Sequence, residues 1–197
     1  MQSKQIIELL NNDQAKHFIA SNLDKSVNPF SAQKQHGDAF NITLCLQLLN
    51  IYKKAKTKLP TFHKQLLALN DRSYQQASAE SIARYKTSFM FGDTLLDLTA
   101  GLGVDGIALS TGFRTVQLYD ANPDMVEIGQ FNLNKLGLKN IQFNLGKAED
   151  SIATADWIYL DPDRRNNQVR KVALQHLSPN VVELLPKLKK NAKNVYI

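Results

Sequence analysis

The chain of 197 residues contains one cysteine, one tryptophan and four histidines. A single cysteine excludes an intrachain disulfide and any metal site built from several thiolates. Cys45 lies in the apolar run Ile42–Leu49, the setting of a core residue, which removes most cysteine-nucleophile mechanisms as well. His17, His36, His63 and His176 share no metal-ligand spacing, so no metal is expected. No apolar run approaches the roughly 20 residues a membrane helix needs. The opening MQSKQIIELLNNDQ lacks the long apolar segment of a secretory signal. The expectation is a cytoplasmic protein in a reducing compartment.

Hydrophobic residues make up 43% of the chain and charged ones 21%, enough to bury a core in one domain, or in one domain with a smaller companion. The net charge is +6, with a pI near 9.3, which favours a polyanionic partner. Basic clusters occur at Lys53-Lys54-x-Lys56-x-Lys58, at Arg164-Arg165 with Arg170-Lys171, and at Lys187-x-Lys189-Lys190. The first and third read equally well as solvated helix faces. The middle one follows a turn of chemical interest.

Residues 1–88 read as a small all-α domain. Ile6, Ile7, Leu9 and Leu10, then Phe18 and Ile19, suit two short amphipathic helices. Residues 23–38 hold Pro29, Gly37 and several Asn and Ser, the composition of a loop. A longer helix is predicted over 40–56, another over 62–69, and a third starting at Ser78 and carrying Ile82, Ala83 and Tyr85. From residue 89 to 197 the pattern changes. Apolar runs at 95–98, 115–119, 141–145, 157–160 and 194–197 alternate with helical or turn-rich segments, which predicts a parallel α/β sheet of Rossmann-like type. The chain stops in what reads as an opening fifth strand, so the sheet is expected to lack its last strands, as in a fragment of a longer protein.

The densest information lies in Asp97-Leu-Thr-Ala-Gly101-Leu-Gly103-Val-Asp105-Gly106. Gly101-x-Gly103-x-x-Gly106 matches the dinucleotide fingerprint, with Asp120 at the expected distance beyond it. Asp97, at the end of the preceding strand, argues against a pyrophosphate, which docks on a helix N-terminus because it is anionic. A carboxylate there suits a ligand with an ammonium or sulfonium, and S-adenosyl-L-methionine carries both. Three further strand ends also offer acids: Asp120, the pair Glu149 and Asp150, and Asp161 in Asp161-Pro162-Asp163-Arg164-Arg165.

With DLTAGLGVD, LYDANPD and YLDPDRR in place, residues 76–197 resemble the class I S-adenosylmethionine-dependent methyltransferases. KLPTFHK and QQASAESIARYK narrow the resemblance to a bacterial group that carries a THUMP-like module after the catalytic domain, a module that this chain would then be expected to lack. The glycine motif is also similar to that of a bacterial small-subunit rRNA guanine-N2 methyltransferase. The resemblance implies a cofactor-binding set of Gln76, Lys86, Asp97, Thr99, Ala100, Gly101, Gly103, Asp105, Asp120, Ala121, Ala148, Glu149 and Asp161. In it Asp97 would take the methionine ammonium, Lys86 the carboxylate and Asp120 the ribose hydroxyls. Gly101 and Gly103 would let backbone approach the ligand, and Ala148 and Glu149 would follow the adenine edge. Lys147 stands where many members have an acid.

Asp161, Pro162, Asp163 and Arg164 form the implied catalytic turn, in which a side chain and a rigid carbonyl orient an exocyclic amine. An aromatic residue often follows in amino-methylating relatives; here Arg164 and Arg165 follow, and arginine stacks on a base or binds phosphate. The implied partner is RNA, tRNA or rRNA. Two other readings stay open: an NAD(P)-dependent oxidoreductase, and a nucleic-acid-binding module with an incomplete cofactor pocket.

Overall fold

The computed structural model describes the chain apart from Met1 and residues 164, 167, 168 and 171–173; at 165, 166, 169, 170 and 174 it describes backbone alone. Seven helices precede the first strand: α1 (Ser3–Asn11), α2 (Asp13–Asn22), α3 (Pro29–His36), α4 (Ile42–Lys58), α5 (Pro60–Gln65), α6 (Asp71–Gln76) and α7 (Glu80–Lys86). Alternating elements follow: β1 (Gly92–Asp97), α8 (Val104–Leu109), β2 (Phe113–Asp120), α9 (Pro123–Leu136), β3 (Ile141–Leu145) and β4 (Ala155–Tyr159). A two-residue antiparallel pair, β5 (Arg165–Asn166) and β6 (Val169–Arg170), comes next, then α10 (Val181–Asn191) and β7 (Ala192–Tyr196). No helix among the described residues is long and apolar enough to cross a membrane.

Five parallel strands form the sheet in the order β3-β2-β1-β4-β7, a Rossmann-like fold. The chain runs outward from β1 through β2 to β3, then returns to the other side of β1 as β4. The order therefore reverses between β1 and β4, and ligands of open α/β sheets bind outside the strand ends at such a point. Register brings those ends level: Asp97 faces Leu118 on one side and Tyr159 on the other, and Asp120 faces Leu145.

The helical segment does not bury its apolar faces alone. Its core of Ile6, Leu10, Ile19, Leu48, Tyr52 and Leu67 continues into Leu102, Val104, Met125 and Ile128 on the α8–α9 side of the sheet. The opposite face is filled by Leu96, Ile158 and Leu160 against Leu184 and Leu188 of α10. Several polar contacts cross the first junction. The Ser3 hydroxyl donates to Asp124 at 2.7 Å. The fully buried Asn132 amide of α9 clamps Ala68, accepting from its N–H at 2.7 Å and donating to its carbonyl at 2.9 Å.

Residues 23–38 are not all loop, as their composition suggested. The Asn28 side chain accepts from the N–H groups of Phe30 and Ser31, Pro29 supplies the fixed φ of a first helical turn, and α3 forms around one buried residue, Ala32. The predicted helix over 62–69 is α5, which starts at Pro60 and stops at Leu66, a residue in left-handed conformation at φ 49°. Ser78 does not start α7; its hydroxyl is used elsewhere, and Ala79 precedes the helix with no side-chain cap.

Asn132→Ala removes both halves of the Ala68 clamp and leaves a buried N–H and carbonyl unpaired. Each such group costs about 1–3 kcal/mol. Urea unfolding is expected to show a loss of about 2–4 kcal/mol, and an unchanged midpoint would show that water replaces the amide without penalty.

Candidate active site

The loop after β1 is built on two carboxylates. Asp97 is 1% exposed and accepts from the Thr99 N–H at 3.0 Å. Asp120, at the end of β2, accepts from the Gly101 N–H and the Asn122 N–H, both at 2.8 Å, so one side chain fixes the loops after β1 and β2 together. Ala100 N–H donates to the Tyr119 carbonyl at 2.9 Å, and the chain can then turn because Gly101 and Gly103 hold φ of 53° and 72°.

The three glycines serve different ends. Gly101 borders open space. A Cβ on Gly103 would sit 2.6 Å from the Phe143 ring, and one on Gly106 would sit 2.3 Å from Leu118. Gly103 and Gly106 therefore let the loop and α8 close onto the sheet. The expectation that Gly103 clears space for a ligand is corrected: the close neighbour is the core ring of β3.

Behind this loop lies a buried polar network. The Lys86 ammonium pairs with Asp105 at 2.7 Å, donates to the Tyr159 hydroxyl at 2.7 Å and lies 4.8 Å from the centre of the Tyr159 ring. The other Asp105 oxygen accepts from Ser78 at 2.7 Å and from Tyr159 at 3.3 Å. Lys86 is thus neither a solvent-facing lysine nor a residue of the cavity wall. Its expected pairing with a ligand carboxylate gives way to an internal ion pair, because the end of α7 is packed onto α8. Burial holds the Tyr159 hydroxyl above its ordinary range. Burial also raises the Asp97 carboxyl well above the ordinary carboxylate value; the Thr99 N–H opposes this, Asp105 and Asp161 add to it, and Lys86 opposes it.

The turn expected to be catalytic follows β4. Asp161 donates its backbone N–H to the Thr99 hydroxyl at 2.7 Å, tying the turn to the glycine loop. Pro162 is buried. Asp163 exchanges two backbone hydrogen bonds with Ser178, at 2.9 and 3.2 Å, and accepts from the Gln76 amide at 3.2 Å. Arg164, the fourth residue expected in this turn, lies outside the described residues.

A cavity of about 1040 Å³ opens between these parts. Gln76, Asp97, Thr99, Ala100, Gly101, Asp105, Asp120, Ala121, Ala148, Glu149, Asp161, Pro162 and Asp163 all line it; of the described residues expected at the site, only Lys86 and Gly103 do not. One wall escaped the sequence reading. It comes from residues 70–75, with Asn70, Arg72, Ser73 and Gln75 of α6 and its approach, next to the expected Gln76. The segment Asp-Arg-Ser-Tyr-Gln-Gln has no apolar stripe; its one legible signal is Asn70 before Ser73, whose side chains bond each other's backbone as a capping box.

The family profile described as a methyltransferase domain matches residues 91–195, more than half of the chain. The chain belongs to the methyltransferase domain family. A Streptococcus pyogenes serotype M1 protein named an uncharacterized RNA methyltransferase is 27% identical over 124 residues, covering 52% of this chain and 26% of its own length. A Listeria monocytogenes serotype 4b protein of the same designation is 30% identical over 79 residues, covering 36% of this chain and 17% of its own. The chain thus spans about a quarter or less of the curated relatives it matches. In three dimensions it is similar to a crystal structure from Porphyromonas gingivalis W83 assigned to a methyltransferase, with a TM-score of 0.72 and 22% identity. That match covers 98% of this chain and 48% of the other, so the shared fold includes the helices before the methyltransferase domain.

Asp97 generates a test of its own. Because its folded value is raised above the unfolded one, about 3.9, ionised Asp97 weighs against the folded state. That penalty is absent below the unfolded value, grows as pH rises through the folded value, and is constant above it. Asp97→Asn keeps the acceptor for Thr99 and removes the charge. Thermal unfolding of the ligand-free methyltransferase domain is expected to show a higher Tm for this variant at pH 8 and a vanishing difference near pH 4. A lower Tm at pH 8 would show that the charge is stabilised in place.

Proposed function

We propose that this methyltransferase domain uses S-adenosyl-L-methionine and transfers its methyl group to a base nitrogen in RNA. The reading rests on one observation above the others: a buried carboxylate with spare acceptor capacity, Asp97, on the floor of a cavity whose mouth carries the Asp161-Pro162 turn. A desolvated carboxylate attracts an ammonium far more strongly than it would in water. It would repel a pyrophosphate, which disfavours the dinucleotide reading of the glycine spacing. Asp120 still has lone pairs for two ribose hydroxyls beyond its two backbone donors. The buried Ala148 and the exposed Glu149 line the cavity beyond β3, where an adenine edge would lie. The cofactor, when bound, supplies a methyl group on a sulfonium.

What the protein adds is position and charge. Thr99 holds the Asp161 backbone against the cofactor loop, so acceptor and donor loops move as one body. The Asp161 carboxylate and a proline-constrained carbonyl accept hydrogen bonds from an exocyclic amine and turn its lone pair toward the methyl carbon. RNA as substrate is supported by the net positive charge and by the designation of the curated relatives. On this reading residues 89–197 are the catalytic unit and residues 1–88 a helical domain that shares its core.

Titration calorimetry with S-adenosylhomocysteine is the direct measurement. Binding by the wild type, with loss in Asp97→Ala and in Asp120→Ala, is expected. Affinity should fall as pH drops through the raised Asp97 value, because protonation removes the partner of the ammonium, and Asp97→Asn should abolish that dependence. No binding by the intact protein, or variants equal to wild type, would overturn the proposal.

A further inference from the structure

Helix α6 is six residues long, polar apart from Tyr74, and held at several points. A capping box closes its start. The Lys58 ammonium of α4 donates to the carbonyls of Tyr74 and Gln75 at its end, at 2.8 and 3.1 Å, and lies over the Tyr74 ring. The Tyr74 hydroxyl donates to the Lys54 carbonyl at 3.0 Å, and Gln76 reaches across the cavity to Asp163. Burial alone would not keep so polar a helix in place. These contacts make a rigid wall facing the strand ends.

The two sides of the cavity differ in charge. Six acids line it from the strand-end side, Asp97, Asp105, Asp120, Glu149, Asp161 and Asp163, against a single lysine there, Lys147. The α6 side presents Arg72, which is exposed and makes no hydrogen bond or ion pair among the described residues. The neighbouring acid does not neutralise it, since Asp71 is engaged by Gln75 at 2.5 Å and by Lys54 at 3.8 Å. The volume also matters. Pockets for one small ligand run to about 300–1000 Å³, and about 1040 Å³ stands at the top of that range. An acid-lined half suits an ammonium-bearing ligand; a guanidinium on the opposite wall suits an anion.

We propose that α6 is the substrate-side wall of this cavity and that Arg72 anchors a backbone phosphate of the nucleic acid. The inference rests on the RNA reading above and names the residue that would receive the strand. A guanidinium matches phosphate with two parallel N–H donors, and a rigid helix sets where the flanking phosphate, and so the target base, comes to rest.

Fluorescence anisotropy with a short labelled single-stranded RNA of mixed sequence tests this, with the salt dependence of binding as readout. One lost phosphate contact lowers the slope of log affinity against log salt by about 0.7 for a single strand. Arg72→Ala should show that loss with unchanged S-adenosylhomocysteine affinity. Arg72→Lys should keep the slope, and Lys34→Ala, on exposed α3, should leave it alone. RNA binding with the same slope in Arg72→Ala would overturn the anchor and spare the RNA reading. Lost S-adenosylhomocysteine affinity in Arg72→Ala would assign Arg72 to the cofactor instead and also overturn it. A wild type that binds S-adenosylhomocysteine but no RNA would overturn the RNA reading and the anchor with it.

Discussion

The cavity floor depends on the ion pair between Lys86 and Asp105. Asp97, Asp105 and Asp161 converge at adjacent strand and helix ends, and like charges this close disfavour one another's ionised forms. Lys86 cancels one of them in place, at 2.7 Å and nearly out of water. Buried pairs of this kind offset a large desolvation cost only when further hydrogen bonds complete them. Ser78 and Tyr159 supply those bonds. The lysine comes from the last turn of α7 and Ser78 from the segment before it, so the helical part contributes the charge that makes the acid row tolerable.

Among the described residues, that arrangement leaves Asp97 desolvated and without a salt bridge of its own. Asp120 is different, because two backbone N–H groups already hold it and it stands half-exposed. On the proposed reading, one acid would meet a cation and the other hydroxyl donors. The division follows from where β1 and β2 stop: a central strand ends deep in the sheet, the next one nearer its rim.

Much of this was legible without coordinates. Short apolar runs marked the five strands of the sheet, and the acids and glycines at their ends marked the cavity, because both signals are local. The small polar helices were not legible. In α3 a single alanine is buried, and α6 carries no apolar face, so neither has the periodicity by which helices are read. Caps and contacts from distant residues hold them instead. The same holds for Ser78, a plausible helix start that turns out to serve Asp105.

By itself, the sequence determined the α/β class, the strand ends that carry acids and the glycine-rich turn after β1, since each follows from side-chain size, backbone freedom and spacing along a few residues. Tertiary structure alone decided that Lys86 pairs with Asp105, that Gly103 makes room for Phe143, and that α6 lines the cavity. These are choices of partner across tens of residues. Nothing in local spacing fixes them, because they depend on which faces must be buried together when helices and sheet share one core.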